Sequence, residues 1–295
     1  GRGPDCRPPV TVSGGPLSGI DYTPPMASAQ VKSAVLLAAL TASGETVVRE
    51  PVPTRTHTED MLARAGARIT VGHEDGVRVV RLHPSELRPT ETRVPGDPSQ
   101  AAFLLVAALL APDSRVTVEG LYLGPERVGY LAVLERMGAR LAVDPSADGL
   151  GAVTAVTSAL VATDVDAAEI PSLDEVPILA VAASRAEGTT RFRGLGELRV
   201  KESDRLAGAA ALVRAFGTTA VVDGDDLMVT GRDRYVGAAS VDAQGDHRLA
   251  MAAAVAAAAN EAGSLTSISG WETVATSYPG FLEVLDALRH PGTAS

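Results

Sequence analysis

The 295-residue chain is 45% hydrophobic and 3% aromatic, with 26 Lys and Arg against 36 Asp and Glu for a formal charge of -10. That length supports two domains with their own cores, and an acidic chain without a Lys/Arg run is excluded as a nucleic-acid binder. One cysteine, Cys6, excludes an intrachain disulfide or a cysteine-based zinc site, and the apolar runs fall short of a membrane span of about 18 residues. The opening Gly1-Arg2-Gly3-Pro4 shows no signal-peptide pattern, so the expected location is the cytoplasm, with no membrane partner.

In chain order, the first pattern is an Ala-rich helix that starts at Ser28-Ala29-Gln30 and runs through VKSAVLLAAL into the strand ETVV. MLARAGARITV (61–71) follows: the end of an amphipathic helix, Gly66 as a left-handed cap, then a strand. VVRLHPSE (79–86) adds a hairpin strand. Arg93-Val94-Pro95-Gly96-Asp97-Pro98 interrupts the pattern with two prolines and a glycine, which predicts a domain boundary.

The same pattern then repeats. Ser99-Gln100 opens AAFLLVAALL, and VLERMGARLAV (133–143) follows with Gly138. Asp174 opens EVPILAVAA, and LVRAFGTTAVV (212–222) follows with Gly217 and the hairpin strand DLMVTGRD. His247-Arg248 opens LAMAAAVAAAA, and FLEVLDAL (281–288) begins a last copy. Gln30, Gln100, Asp174 and Arg248 recur roughly every seventy residues, the signature of a repeated α/β architecture.

Helices apolar on nearly all sides are expected to be buried. Their first turns carry unpaired N–H groups and partial positive charge, so converging helix starts make an anion site. The densest polar cluster, Arg199-Val200-Lys201-Glu202-Ser203-Asp204-Arg205, opens LAGAAALVRAFG. Lys201 and Arg205, four apart, are expected on one side of that helix start, with Glu202 on the next face; a solvated turn with weak local ion pairs fits those residues equally well. Arg248 at a helix start opposes the dipole, which directs it at an anion or at Asp246. Asp174 and Ser28 read most simply as N-caps. There is no Walker loop, GxGxxG, HExxH or GxSxG. Cys6 has no neighbouring histidine, and His57, His73, His83, His247 and His290 lack metal-ligand spacing.

Seven segments, taken together and in order, resemble the 5-enolpyruvylshikimate-3-phosphate synthase family: MASAQVKSAVLLAAL (26–40), EPVPTRTHTEDML (50–62), VPGDPSQAAFLLVAALL (94–110), LDEVPILAVAA (173–183), ELRVKESDRL (197–206), GDHRLAM (245–251) and ATSYPGFL (275–282). RVKESDRL and DHRLAM carry the resemblance most specifically. It implies an α/β fold of repeated βαβαββ units in a two-domain inside-out α/β barrel. Residues 1–95 would be the remainder of the N-terminal domain, with one full repeat. Residues 96–290 would be the C-terminal domain, with three repeats, the last incomplete. The family's Lys-Ser opening, its Gly-Asn-Ala-Gly segment and a following Arg have no counterpart here. The chain is therefore read as the C-terminal portion, with the first domain incomplete. Ala29 replaces a frequent second Ser, and Thr276-Ser277-Tyr278-Pro279 lacks a frequent Lys.

The resemblance also implies an activity: transfer of the enolpyruvyl group of phosphoenolpyruvate to the 5-hydroxyl of shikimate 3-phosphate, with release of phosphate. Asp174 would be the base at the hydroxyl and Glu202 would handle the proton at the methylene carbon. Ser28, Ala29, Gln30, Arg55, Asp174 and Lys201 would bind shikimate 3-phosphate; Gln30, Arg205 and Arg248 would bind phosphoenolpyruvate, where arginine's planar fork suits carboxylate and phosphate. No metal or organic cofactor is expected, and the complete protein is expected to be a monomer. The isolated 295-residue chain is expected to show no synthase turnover. Two other readings compete: a non-catalytic remnant or ligand-binding fragment, and a UDP-sugar enolpyruvyl transferase of the same fold. The second uses a loop cysteine, and Cys6 has no matching surroundings.

Overall fold

A computed structural model describes residues 11–146, 149–236, 239–260 and 264–289; Cys6 and His290 lie outside them. The chain divides into two compact units, Gly1–Arg93 and Val94–Ser295.

The first unit contains β1 (Asp21–Tyr22), α1 (Ala29–Ala39), β2 (Thr46–Glu50), α2 (His57–Arg64), β3 (Ile69–Glu74) and β4 (Val77–Leu82). This is one βαβαββ repeat. The strand order is β1-β2-β4-β3, with β1 parallel to β2 and the other pairs antiparallel. Leu36 and Ala39 of α1, Val48, Leu62, Val80 and Leu82 form its core. Gly66 closes α2 at φ 87°, a left-handed value that side chains tolerate poorly, and the chain turns there into β3. One expectation fails in this unit. The helix α1 buries only Lys32, Leu36 and Ala39, and Leu37 is 54% exposed. Its apolar sequence exceeds the area that one sheet and one short helix cover.

The second unit repeats the pattern. First come α3 (Pro98–Leu110), β5 (Arg115–Tyr122), α4 (Gly129–Arg136), β6 (Arg140–Pro145) and β7 (Leu150–Val156). Next are β8 (Asp164–Asp166), α5 (Val176–Ala183), β9 (Thr189–Arg193), α6 (Arg205–Ala215), β10 (Thr219–Asp223) and β11 (Asp226–Thr230). Last are β12 (Ala239–Asp242), α7 (His247–Ala258), β13 (Thr266–Ser269) and α8 (Phe281–Arg289). The sheet β8-β9-β11-β10 has the same order and the same parallel and antiparallel senses as the sheet of the first unit. In β5-β7-β6 the missing first strand is marked by a parallel bridge from Gly96 to Leu121, and β12 pairs parallel with β13. Gly138 and Gly217 repeat the left-handed cap at φ 87° and 78°.

Helices α3, α5, α6 and α7 pack on one another and the strands lie outside them, the inside-out arrangement that the family resemblance implies. All residues of α5 are buried, as are those from Arg248 to Ala256 of α7. Burying a side chain such as Ile178 or Leu179 contributes about 2 kcal/mol. Alanine and glycine let the helices approach closely: a methyl group on Gly208 of α6 would lie 2.4 Å from Leu249 Cδ1 of α7.

Candidate active site

In the second unit three separate stretches meet at Arg205, which opens α6 and is 1% exposed. Its Nε donates to Asp246 Oδ2 at 2.7 Å, its Nη1 to Asp174 Oδ1 at 2.8 Å, and its Nη2 lies 2.6 Å from Glu202 Oε2. Arg248 Nη2 lies 3.4 Å from the other Asp174 oxygen. Arg248 Nη1 is buried and has no hydrogen-bond partner among the described residues. A buried guanidinium nitrogen of this kind is a costly feature unless a ligand completes it.

The local backbone explains how these groups converge. Leu173, buried at 5% exposure, takes a left-handed φ of 54° directly before Asp174. Gln244 and Gly245 are left-handed in succession, at 53° and 71°, directly before Asp246. A non-glycine residue there costs about 1 kcal/mol, which the surrounding packing holds. Asp246 is the N-cap of α7: Oδ1 accepts the Arg248 N–H at 2.9 Å, and Oδ2 also accepts the Ser203 hydroxyl at 3.0 Å. Burial pushes the Asp246 carboxyl up, but the hydrogen bonds and charge of Arg205 outweigh it and hold the pKa below the usual aspartate range. Burial, and then the charge of Arg248, hold the His247 imidazole below the usual histidine value.

Several expectations change here. Asp174 is not an N-cap: α5 begins at Val176 with Glu175 in the cap position, and the Asp174 carboxylate is turned to the two arginines. Asp246 takes the Arg205 side chain, while from Arg248 it takes only the backbone N–H. Lys201 does not share a helix face with Arg205, because α6 starts only at Arg205 and Asp204 caps it. Lys201 instead ends a short 3-10 turn, and its Nζ lies 2.5 Å from Glu197 Oε1. The structure thus brings Asp174, Glu202, Arg205 and Arg248 together and leaves Lys201 on a separate partner.

A chain of polar contacts that starts at the surface and ends on a buried carboxylate runs beside Asp174. Arg127 Nη2 donates to Asp97 at 2.7 Å and to Ser99 Oγ at 2.8 Å. Ser99 donates in turn to Glu175, whose second oxygen takes the Ser172 hydroxyl at 2.7 Å. Glu175 is 1% exposed. Asp246, Glu175 and Arg127 were not among the expected site residues. The GDHR and LDEVP segments contain two of them, but nothing in the spacing separates a buried partner from a solvated neighbour.

In the first unit Ser28 caps α1, accepting the Val31 N–H at 3.3 Å, as its residue type suggests. Ala29, Gln30 and Arg55 border one open recess of about 440 Å³ together with Ser33, His57 and Thr58. Ser28 lines a neighbouring recess with Pro24 and Glu50, and its hydroxyl also reaches Gln30 Oε1 at 3.4 Å. The Arg55 guanidinium has no hydrogen-bond or ion-pair partner among the described residues.

Repeated βαβαββ units with arginines and carboxylates gathered at buried helix starts define an α/β repeat protein with a charged cluster at the starts of its core helices. The profile of the EPSP synthase family, 3-phosphoshikimate 1-carboxyvinyltransferase, matches residues 2–285, and the chain belongs to that family. It is 46% identical over 289 residues to the 3-phosphoshikimate 1-carboxyvinyltransferase of Acidiphilium cryptum, covering 95% of this chain and 64% of the relative. The chain thus spans a little less than two thirds of the length of the curated relatives it matches. A solved EPSP synthase from Acinetobacter baumannii superposes with a TM-score of 0.84 at 37% identity, over 97% of this chain and 66% of that one. The enolpyruvyl transferase NikO from Streptomyces tendae shares the fold, with a TM-score of 0.70 at 24% identity over 86% of this chain and 58% of its own. Among the described residues no cluster of His, Cys, Asp and Glu could hold a metal ion, and no helix is long and apolar enough to cross a membrane.

Proposed function

We propose that this chain carries the residues that transfer the enolpyruvyl group of phosphoenolpyruvate to the 5-hydroxyl of shikimate 3-phosphate, releasing phosphate. The observation that carries the reading is Arg205, a buried cation that holds Asp174 and Glu202 at once, beside Arg248 with a buried nitrogen unpartnered among the described residues. On this reading Arg205 and Arg248 grip phosphoenolpyruvate, joined by Gln30. Ser28, the Ala29 backbone, Gln30 and Arg55 hold shikimate 3-phosphate. Lys201 reaches the hydroxyl region only after leaving Glu197. Residues 1–95 correspond to part of the N-terminal domain and 96–290 to the C-terminal domain.

Asp174 takes the proton of the 5-hydroxyl as its oxygen attacks C2 of phosphoenolpyruvate. Glu202 delivers a proton to the methylene carbon; in the elimination the transfers reverse, Glu202 taking a proton back from the methyl group and Asp174 giving its proton to the leaving phosphate. The geometry supports the acid role in one respect. A ligand carboxylate that occupies Arg205 Nη2 displaces Glu202 from its cation and leaves the Glu202 carboxyl free to face the ligand. The reaction needs no metal or organic cofactor. The protein acts as a monomer in the cytoplasm, without nucleic-acid or membrane partners.

The test measures phosphate released from phosphoenolpyruvate by the product of the whole reading frame that contains this chain, with and without shikimate 3-phosphate. Release that requires shikimate 3-phosphate, and that falls about a thousandfold or more in Asp174→Asn and in Glu202→Gln, is the expected result. Binding of both ligands with no release would replace the enzyme with a ligand-binding protein. Release dependent on a UDP-sugar would move it to the sister reaction.

A further inference from the structure

The first unit buries four charges that the proposed reaction does not use. Lys32 of α1 and Glu59 of α2 are 1% and 2% exposed, and Glu50 of β2 and Arg78 of β4 are 3% and 8% exposed. Lys32 Nζ lies 3.1 Å from Glu50 and 2.8 Å from Glu59, and Arg78 Nη1 lies 2.5 Å and 2.9 Å from the same two carboxylates. Two cations face two anions, so the group is neutral as a whole. Ion groups of this kind rarely stabilise a fold more than apolar side chains of equal volume would. Their contribution is therefore sought in what they hold in place.

The group holds the segment that joins β2 to α2. Glu50 Oε1 accepts the Thr54 hydroxyl at 2.5 Å and the Thr54 N–H at 3.3 Å. Lys32 Nζ spends its remaining hydrogen bond on the Arg55 carbonyl oxygen, at 2.9 Å. The segment thus has its backbone tied down at two successive residues, immediately before the recess that Arg55 borders with Gln30. Lys32 is enclosed and does not line that recess; its hydrogen bond to a residue that does is the one to the Arg55 carbonyl.

We propose that Lys32 is a positioning residue: by hydrogen-bonding the Arg55 carbonyl from within a neutral buried quartet, it fixes the backbone that presents the Arg55 guanidinium to a phosphorylated ligand. The ligand half of this statement rests on the substrate reading above; the hold on the Arg55 backbone does not.

Two measurements on the 295-residue chain test it. The first is the rate of trypsin cleavage at the Arg55–Thr56 bond, whose carbonyl is the one Lys32 holds, with cleavage at Arg199–Val200 as the control. The second is calorimetric affinity for shikimate 3-phosphate. Lys32→Met alone leaves a buried charge unbalanced and could simply unfold the unit, so the informative variant is Lys32→Met with Glu59→Gln, which restores neutrality. This double variant is expected to melt with the native chain, to be cut at Arg55–Thr56 about tenfold faster with unchanged cutting at Arg199–Val200, and to bind shikimate 3-phosphate about tenfold more weakly. In an Arg55→Ala background it is expected to cost no further affinity, because the effect passes through Arg55. Native cleavage and native affinity in the double variant would overturn the proposal and leave the quartet a purely structural group. An affinity loss that persists in full without the Arg55 side chain would overturn it as well. Faster cleavage combined with an affinity indifferent to both Lys32 and Arg55 would uphold the hold on the backbone and sink the phosphate reading of the recess.

Discussion

Asp246 grips Arg205 from two sides while capping a different helix. Its Oδ2 takes Nε at 2.7 Å, its Oδ1 lies 3.4 Å from Nη2, and the same Oδ1 takes the Arg248 N–H at 2.9 Å. One fully buried carboxylate thereby ties the start of α6 to the start of α7. Asp246→Asn keeps the shape and the capping oxygen but leaves Arg205 short of its buried counter-charge. The expected cost is about 3 kcal/mol of stability, the lower end for breaking a buried ion pair, because Asp174 and Glu202 still face the guanidinium. Urea unfolding followed by circular dichroism measures it; a loss below about 0.5 kcal/mol would mean that the contact carries little.

The same carboxylate gives stability a pH dependence of definite sign. The folded pKa of Asp246 lies below the ordinary aspartate value of 3.8. Its contribution is therefore fully present above that value and disappears as pH falls through the folded pKa. The gap in urea midpoint between the native chain and Asp246→Asn is expected to be constant from neutral pH to about 5 and to shrink toward pH 3. A gap that widens on acidification would refute the sign.

His247 reports on the neighbouring arginine. Its imidazole is held below the ordinary value of 6.5, by burial first and by the Arg248 charge second. On the proposed reading phosphoenolpyruvate binds Arg248 and offsets that charge, so the His247 titration midpoint in an NMR experiment is expected to rise when the ligand is added. An unmoved midpoint at saturating ligand would place the ligand away from Arg248.

Arg248→Lys tests the buried Nη1. Lysine keeps the charge but loses the planar fork. Phosphoenolpyruvate affinity is expected to fall about tenfold or more, with little change in melting temperature. Calorimetry and a thermal melt, run together, separate the two effects.

Two glycine caps with the same backbone should respond unequally. Gly66 and Gly217 have φ 87° and 78°. A Cβ on Gly66 meets only Arg88 Cδ at 3.9 Å, while one on Gly217 meets Val236 Cγ2 at 2.7 Å. Gly66→Ala is expected to cost about 1 kcal/mol, the left-handed penalty alone. Gly217→Ala adds crowding, for a total of about 2 kcal/mol or more. Equal losses in denaturant titrations would remove the steric part of the argument.

The repeat was readable because period and punctuation are local. Gly66, Gly138 and Gly217 each follow an amphipathic helix and precede a strand, and each is left-handed in the structure. Ser28 as a cap was readable for the same reason. Asp174 was not: a residue at a helix start serves as a cap by default, and only the left-handed Leu173 turns it away toward Arg205. Lys201 misled through the four-residue spacing to Arg205, which has meaning only inside a helix, and the helix begins at Arg205.

The residue pattern by itself determined the repeated α/β architecture and the polar helix starts, because hydrophobic period is a property of contiguous chain; the candidate roles of Asp174, Glu202, Arg205 and Arg248 came only with the family resemblance. Tertiary structure alone decided which charges meet. Arg205 and Asp246 are 41 residues apart, and Lys32 reaches Glu59 across 27. Such pairs form because burial removes water as the alternative partner, and which groups are buried together depends on how the repeats pack, not on the order in which they are written.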